Sequence, residues 1–439
     1  MTTPPTISAL HPVSPADIPR DATNRSSNLA ALLSVAAVNG LQTFDFLCYA
    51  FFAVFIGKAF FPATTPWSST LMSLGAFGVG FVFRPLGAIV FGAWADRRGR
   101  KPAITLSVAL MSIGSLGLAV TPGAATVGWL APVIVIACRI VQGFAFGGDF
   151  GPASALLIEL TPPGRRGFYA SFQYASQGAA ALAAGMCGFG LAWILTPSQF
   201  AEWGWRLPFV AALFMAPLIM VLRRRVPSAA EQQHAADQGS DELAKSWPRR
   251  LRSPLRRVVL SIALVSSTTV TSYALSTQTT VALLALHLSA FAAMAGAASL
   301  GASLLVFSLL GGWLADRVRR KPLALMARLA CIASFGPALA LGAHWPGIGS
   351  LMVATVLVSA LNAISSAATL IAMLELFPRR SRALGSAIAY GTGVAFFGGT
   401  APFIVAALTA HSDGLNALLW YVDGCGLLSV AAILALPRR

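Results

Sequence analysis

A charged string that occurs twice, each time between two long apolar segments, does most to limit what this chain can fold into. Gly92-Ala93-Trp94-Ala95-Asp96-Arg97-Arg98-Gly99-Arg100-Lys101-Pro102 returns as Gly312-Trp313-Leu314-Ala315-Asp316-Arg317-Val318-Arg319-Arg320-Lys321-Pro322, with Asp316 answering Asp96. Glu159-Leu160-Thr161-Pro162 is echoed by Glu375-Leu376-Phe377-Pro378 at nearly the same spacing along the chain. Two echoes at nearly one offset mean two halves built to one plan. The repeat lies in a chain that is 56% hydrophobic and only 10% charged, against about 25% charged in soluble domains. Such a chain belongs in a membrane, and an internal repeat there points to a transporter with its site between the halves.

Apolar segments of about 20 residues, enough to cross the hydrocarbon core, recur along the whole length. They predict an all-α membrane protein of twelve spans. The first six run roughly over 29–58, 68–95, 103–122, 127–158, 168–195 and 206–224, and the second six over 256–286, 291–314, 322–342, 350–376, 383–409 and 414–436. The expected organisation is a disordered cytoplasmic tail (1–28), a first six-helix bundle (29–224), a cytoplasmic linker (225–255) and a second six-helix bundle (256–439). The tail is polar and rich in Pro, Ser and Thr, without the apolar core of a signal peptide.

A net charge of +16 invites a nucleic-acid reading, but the basic residues sit in short loops between apolar segments, where they set orientation. One alternating set of loops holds Asp96–Lys101, Arg165 and Arg166, Arg223–Arg257, Asp316–Lys321 and Arg379–Arg382. The other set, Thr121–Gly128, Thr196–Trp205, His344–Gly349 and His411–Gly414, is almost free of Lys and Arg; Lys58 and Arg206 are exceptions at helix ends. The positive-inside rule places the basic set and both termini in the cytoplasm.

An ionisable side chain in mid-membrane costs at least about 2.5 kcal/mol, so each one needs a reason. Asp45 and Arg84 each lie sixteen residues into their segments, about 24 Å at 1.5 Å per residue. Arg139 has Gln142 and Gly143 on the same helical face one turn on. Two readings stand for Arg84 and Arg139: anion binding, for which the guanidinium fork suits a carboxylate, or internal pairing with Asp45 or Asp149. Asp45 and Asp149 in turn either carry a coupling proton, since burial raises a carboxylate pKa, or remain paired with those arginines. Arg328, near the end of its segment, is expected to snorkel to the interface. Asp423 sits in an otherwise bland segment.

Uncharged polar residues add a candidate cavity lining: Gln173 and Gln177 with Tyr174 on one face, Tyr273 and Gln278 in the Ser/Thr-dense stretch Ser266–Thr280, and Asn362 with Ser365, Ser366 and Thr369. These groups bond a polar substrate or join helices. Gly92, Asp96, Arg97, Gly99, Arg100, Glu159, Asp316, Arg317 and Glu375 are read as a cytoplasmic charge latch. Five cysteines form no CxxC or His/Cys cluster, so no disulfide framework, metal or cofactor is expected. No GxxxxGK[ST] string is present, which excludes the P-loop of an ATP-driven pump. No metal-type His/Asp cluster stands at a membrane face, and a polytopic enzyme is excluded on that ground.

The string Gly92-x-x-x-Asp96-Arg97-x-Gly99-Arg100-Lys101 and the string Arg139-x-x-Gln142-Gly143 resemble motifs of the major facilitator superfamily. More narrowly, Gln42-Thr43-Phe44-Asp45-Phe46, Ala59-Phe60-Phe61-Pro62, Phe83-Arg84-Pro85-Leu86-Gly87-Ala88, Gly167 through Gln173 and Glu202 through Phe209 are similar to its metabolite:proton symporters of the citrate and tricarballylate type. The resemblance implies two six-helix bundles and proton-driven symport of a small organic anion across a bacterial inner membrane, by a protein working as a monomer. It also implies that Asp96 and Arg100 latch the helices and govern opening. Arg319 departs from the pattern, standing where the second loop motif expects glycine. Two other readings remain open: a symporter of zwitterionic osmolytes or amino acids, and an efflux pump of drugs or metabolites on the same fold.

Overall fold

The structure, a computed structural model, describes residues 21–98, 100–148, 161, 164–223, 253–378, 382–411 and 414–436. Every long element among them is a helix. In chain order they are α1 (Asp21–Phe51), α2 (Ala53–Phe60), α3 (Pro66–Val82), α4 (Arg84–Arg98), α5 (Arg100–Val120), α6 (Leu130–Gly147), α7 (Arg166–Ile194) and α8 (Leu207–Arg223). They continue as α9 (Pro254–Ser276), α10 (Gln278–Leu284), α11 (Ala290–Arg317), α12 (Arg320–His344), α13 (Ile348–Glu375), α14 (Arg382–Gly393), α15 (Ala401–Thr409) and α16 (Gly414–Ala435).

Among the described residues nine helices are long and apolar enough to cross a membrane, or ten if α1 and α2, bent by 67° at Phe52, form one span. The other two expected spans, within α5 and α8, contribute the shorter apolar helices Thr105–Val120 and Gly204–Phe214. The first helix starts earlier than the sequence suggests. Residues 21–28, expected in the tail, are helical. The prolines of the tail end at Pro19, and beyond the last of them nothing removes a backbone donor from the helical ladder.

The breaks within spans have local causes. Pro85 has no N–H to give and crowds the carbonyl of Phe81, so the ladder is interrupted at Phe83 between α3 and α4. Pro402 acts in the same way on Gly398, and the preceding turn, Val394–Gly398, widens into a π-helix. Thr65 caps α3 by accepting from Ser68 N at 3.1 Å, with Pro66 as first helical residue.

Lipid offers no hydrophobic drive between helices, so close backbone packing of small residues carries the assembly. The longest seam joins α7 to α11. Gly301 makes it possible: a Cβ there would stand 1.9 Å from Leu182 N. A second seam joins α3 and α4 to α14 and α15, where Gly78 faces Gly399 O and Gly391 faces Pro85. These two seams bring the halves of the chain together. Polar side chains turn inward, whereas Trp129, Trp193, Trp345 and Trp420 are exposed beside the four loops poor in Lys and Arg, as expected of an interfacial aromatic belt.

Candidate functional site

Three buried arginines and one buried aspartate organise the interior. Asp45 on α1 accepts hydrogen bonds from Gln142 Nε2 at 2.6 Å, from Arg139 Nη2 at 3.3 Å and from Ser115 Oγ. Asp45 and Arg139 therefore form an ion pair with almost no exposure on either side. Gln142 also donates to Ser115 Oγ at 3.0 Å, so α5 and α6 together orient the carboxylate. Arg139 stacks on the Tyr49 ring, 4.3 Å from its centroid, and keeps Nε and Nη1 without partners. Of the two sequence readings for Arg139, the geometry shows the pairing with Asp45.

Arg84 is held differently. Its guanidinium carbon lies 3.8 Å from the Phe81 ring centroid, 4.0 Å from Phe146 and 4.4 Å from Phe46. The Phe46 ring is also 5.4 Å from the Arg139 guanidinium, so both cations adjoin one aromatic ring. Among the described residues no carboxylate lies within ion-pair distance of Arg84, and its Nε and Nη2 are buried without partners. Cation–π contacts are worth about 2 kcal/mol when desolvated. Three of them are comparable with the several kcal/mol that burying a charge costs, but the rings bring no net negative charge to pair with it. Tyr273 of α9 reaches the cage from the second half of the chain, its ring meeting Phe81 edge-on at 5.1 Å.

Around this pair of cations the polar residues divide into groups. Gln173 and Asn39 bond each other at 3.1 Å, and Asn39 also donates to Ser176 Oγ at 2.7 Å. Gln177 on α7 and Tyr390 on α14 are both half-buried. Gln278 accepts from Thr355 Oγ1 and is held at the junction of α10, α11 and α13, with Nε2 unpartnered. Asn362 on α13 accepts from Arg328 Nη1 at 2.8 Å.

Arg328 is where the sequence expectation fails. Instead of snorkelling to the interface it is completely buried, because its side chain leaves α12 inward and reaches residues of α9 and α13. It donates to Ser267 Oγ at 2.9 Å, Thr268 Oγ1 at 2.8 Å and Asn362 Oδ1. Ser115, Tyr390 and the cage of Phe46, Phe81 and Phe146 were also not singled out as site residues; lone polar or aromatic side chains in apolar segments carry no periodic signal.

At one end of the helices lie the charged groups of the second repeat of the string. Asp316 accepts from Gly167 N at 2.6 Å and Phe168 N at 2.8 Å, the first amides of α7. A carboxylate at a helix N-terminus is favoured by the dipole, and this one ties the second half of the chain to the first. Glu375 pairs with Arg320 at 2.8 Å and with Arg166 at 3.8 Å. Arg317 lies over the Trp313 ring at 3.8 Å. These groups line a cleft of roughly 500 Å³. Asp149, Glu159 and Gly99, together with the side-chain surroundings of Gly92, Asp96, Arg97 and Arg100, lie outside the described residues.

Comparisons with known proteins identify the family and the fold. The sequence profile of the Major Facilitator Superfamily matches residues 35–337. The chain is 32% identical over 417 residues to a citrate-proton symporter of Salmonella typhi, covering 94% of both chains. It is 30% identical to the alpha-ketoglutarate permease of Escherichia coli (strain K12), covering 93% of this chain and 94% of that one. It is also 32% identical to a proline/betaine transporter of Salmonella typhimurium, covering 89% of this chain and 80% of the relative. Among solved structures, a D-xylose-proton symporter superposes with a TM-score of 0.73 at 19% identity, covering 93% of this chain and 98% of that one.

Proposed function

The chain belongs to the Major Facilitator Superfamily, and from that premise we propose proton-coupled symport of a small organic anion, a di- or tricarboxylate such as citrate, by alternating access. It is a multi-pass membrane transporter and not an enzyme. The observation that carries the anion reading is Arg84: a fully enclosed guanidinium, caged by three phenylalanines and lacking a carboxylate partner among the described residues. An anionic substrate would supply the missing charge, and a guanidinium can take a carboxylate through two parallel hydrogen bonds.

The Asp45–Arg139 pair is our candidate for the proton step. Protonation of Asp45 removes its charge and releases the Arg139 guanidinium, whose Nε and Nη1 already lack partners. The freed cation then strengthens the field felt by an anion across the Phe46 ring. Carrying protons with the anion also offsets work against the membrane potential, about 2.3 kcal/mol per charge at 100 mV. In this reading bundles 29–224 and 256–439, joined by the linker 225–255, rock about the site as a monomer. Asp316 on Gly167 and Phe168 would close the cytoplasmic end, with both termini inside a bacterial inner membrane.

The proline/betaine relatives raise the zwitterion alternative. Unpaired Arg84 favours the anion, because the cationic end of a betaine would add positive charge to an uncompensated interior. The test is uptake of labelled citrate into proteoliposomes under an inward proton gradient, for the wild type and Arg84→Ala. Gradient-dependent uptake lost in the variant supports the reading. Absence of uptake for citrate and for other di- and tricarboxylates refutes it, and gradient-driven extrusion would turn it to efflux.

A further inference from the structure

We propose that Arg328, held by Ser267, Thr268 and Asn362, is a second carboxylate subsite, so that the substrate bridges the halves with one carboxylate on Arg84 and another on Arg328. The inference rests on the anion reading of Arg84 and adds the number and placement of the substrate's charges.

Arg328 is completely buried, and all its bonded partners are neutral oxygens. Among the described residues no carboxylate is within ion-pair distance, and Nε is buried without a partner. Neutral acceptors satisfy N–H groups but do not compensate the charge. A merely structural arginine at this depth would gain by standing beside an acid, as Arg139 does.

The three acceptors are themselves fixed. Asn362 Nδ2 donates to Thr268 O at 3.3 Å and to Ser272 Oγ at 3.0 Å, which turns its carbonyl oxygen toward Arg328. Ser366 donates to Thr268 Oγ1 at 3.0 Å. Residues from α9 and α13 thus hold the guanidinium plane of an α12 side chain in one orientation, a preorganised fork.

Helix α9 connects this cation to Arg84. Ser267 and Thr268 of α9 hold Arg328, and Ser272, one helical turn on, bonds Asn362. The ring of the next residue, Tyr273, meets Phe81 edge-on at 5.1 Å, and Arg84 lies over that same Phe81 ring. The two uncompensated cations therefore flank one stretch of α9, Arg84 in the first half of the chain and Arg328 in the second. Two separated cations match a molecule with two separated carboxylates. A monocarboxylate would leave one of them bare, and a betaine would set its ammonium against one of them.

The experiment is competition against citrate uptake by tricarballylate, glutarate, butyrate and glycine betaine, with the full chain in proteoliposomes. In the wild type the tri- and dicarboxylates should compete roughly 10- to 100-fold better than butyrate, the worth of one further hydrogen-bonded charge contact. Arg328→Gln should bring glutarate down to the level of butyrate while leaving butyrate unchanged. Arg84→Gln should weaken all carboxylates together. A purely structural role for Arg328 would lower activity without moving the glutarate-to-butyrate ratio, and that result would overturn the inference. So would a wild type that does not separate the two acids. If Arg328→Gln does not fold, Arg328→Lys and Thr268→Val report the same ratio, which should fall in both. If the wild type takes up no carboxylate at all, the anion reading itself fails, an outcome distinct from an unmoved ratio.

Discussion

Replacing Gly143 by alanine tests how the two candidate arginines of the first half are positioned. At this crossing α6 meets α3 and α4 backbone to backbone. A Cβ on Gly143 would lie 1.7 Å from Gly80 O, and one on Gly147 would lie 1.9 Å from Arg84 O. Real Cβ contacts essentially never fall below 3.0 Å, so Gly143→Ala must part the helices by the shortfall between that limit and the gap at Gly80 O. Neither obstacle is a flexible side chain that could step aside; both are carbonyl oxygens of helix backbone. Arg139 lies one turn before Gly143, and Arg84 lies one turn after Gly80, so both arginines ride on the displaced segments. Overpacking of this kind costs about 1–3 kcal/mol.

The control is Gly190→Ala, on α7, where an added Cβ meets nothing within 4 Å; there alanine should gain up to about 1 kcal/mol of helix propensity. The two variants should therefore differ by about 1–4 kcal/mol in stability. Thermal unfolding in detergent, followed by tryptophan fluorescence, reads that difference. Uptake normalised to inserted protein should fall by about tenfold or more in Gly143→Ala, since about 1.4 kcal/mol lost at the anion contact is a factor of ten. Melting of Gly143→Ala together with Gly190→Ala, or unchanged uptake, would refute the argument.

Other expectations follow from single contacts. Asp45→Asn strands Arg139 without its counter-charge, a loss of about 3–5 kcal/mol; it should abolish accumulation driven by a proton gradient while substrate exchange continues, and a variant still responding to the gradient would remove Asp45 from the proton step. Asp316→Asn weakens two charge-assisted bonds, each worth about 1.5–3 kcal/mol, and should speed labelling of a Thr369→Cys probe in the adjoining cleft in a background free of other cysteines. Arg206 donates to Ala119 O at 2.8 Å and Thr121 O at 2.7 Å at the end of α5, so Arg206→Ala should lower the melting temperature while Arg206→Lys, which keeps the charge but not the fork, recovers part of the loss.

Much of the first-half site could be found from residue type and position alone. Asp45, Arg84 and Arg139 stood out because an ionisable group deep in an apolar segment is costly wherever its helix points. What each one touches was not legible. Asp45 had two possible arginine partners, and the structure chooses Arg139, with Ser115 and Gln142 completing the shell. Arg84 was equally open to pairing, and it lies instead among three phenylalanine rings. The Ser/Thr-dense stretch was marked as a cavity wall, and part of it, Ser267 and Thr268, holds an arginine.

The sequence by itself determined the membrane solvent, the two-fold plan and the depth of each charge. Those follow from counting, because each apolar run fixes a helix length and each residue advances it by a constant rise. Only the tertiary structure decided direction. Arg328 lies eight residues into α12, about 12 Å along its axis, a depth from which a long side chain can reach the interface or turn inward. The choice depends on the rotation of α12 about its own axis, which is set by its packing on α13 and α16. Residue spacing gives the angle between side chains on one helix but not the angle between that helix and its neighbours. That second angle is what turned Arg328 from an interfacial side chain into a buried cation.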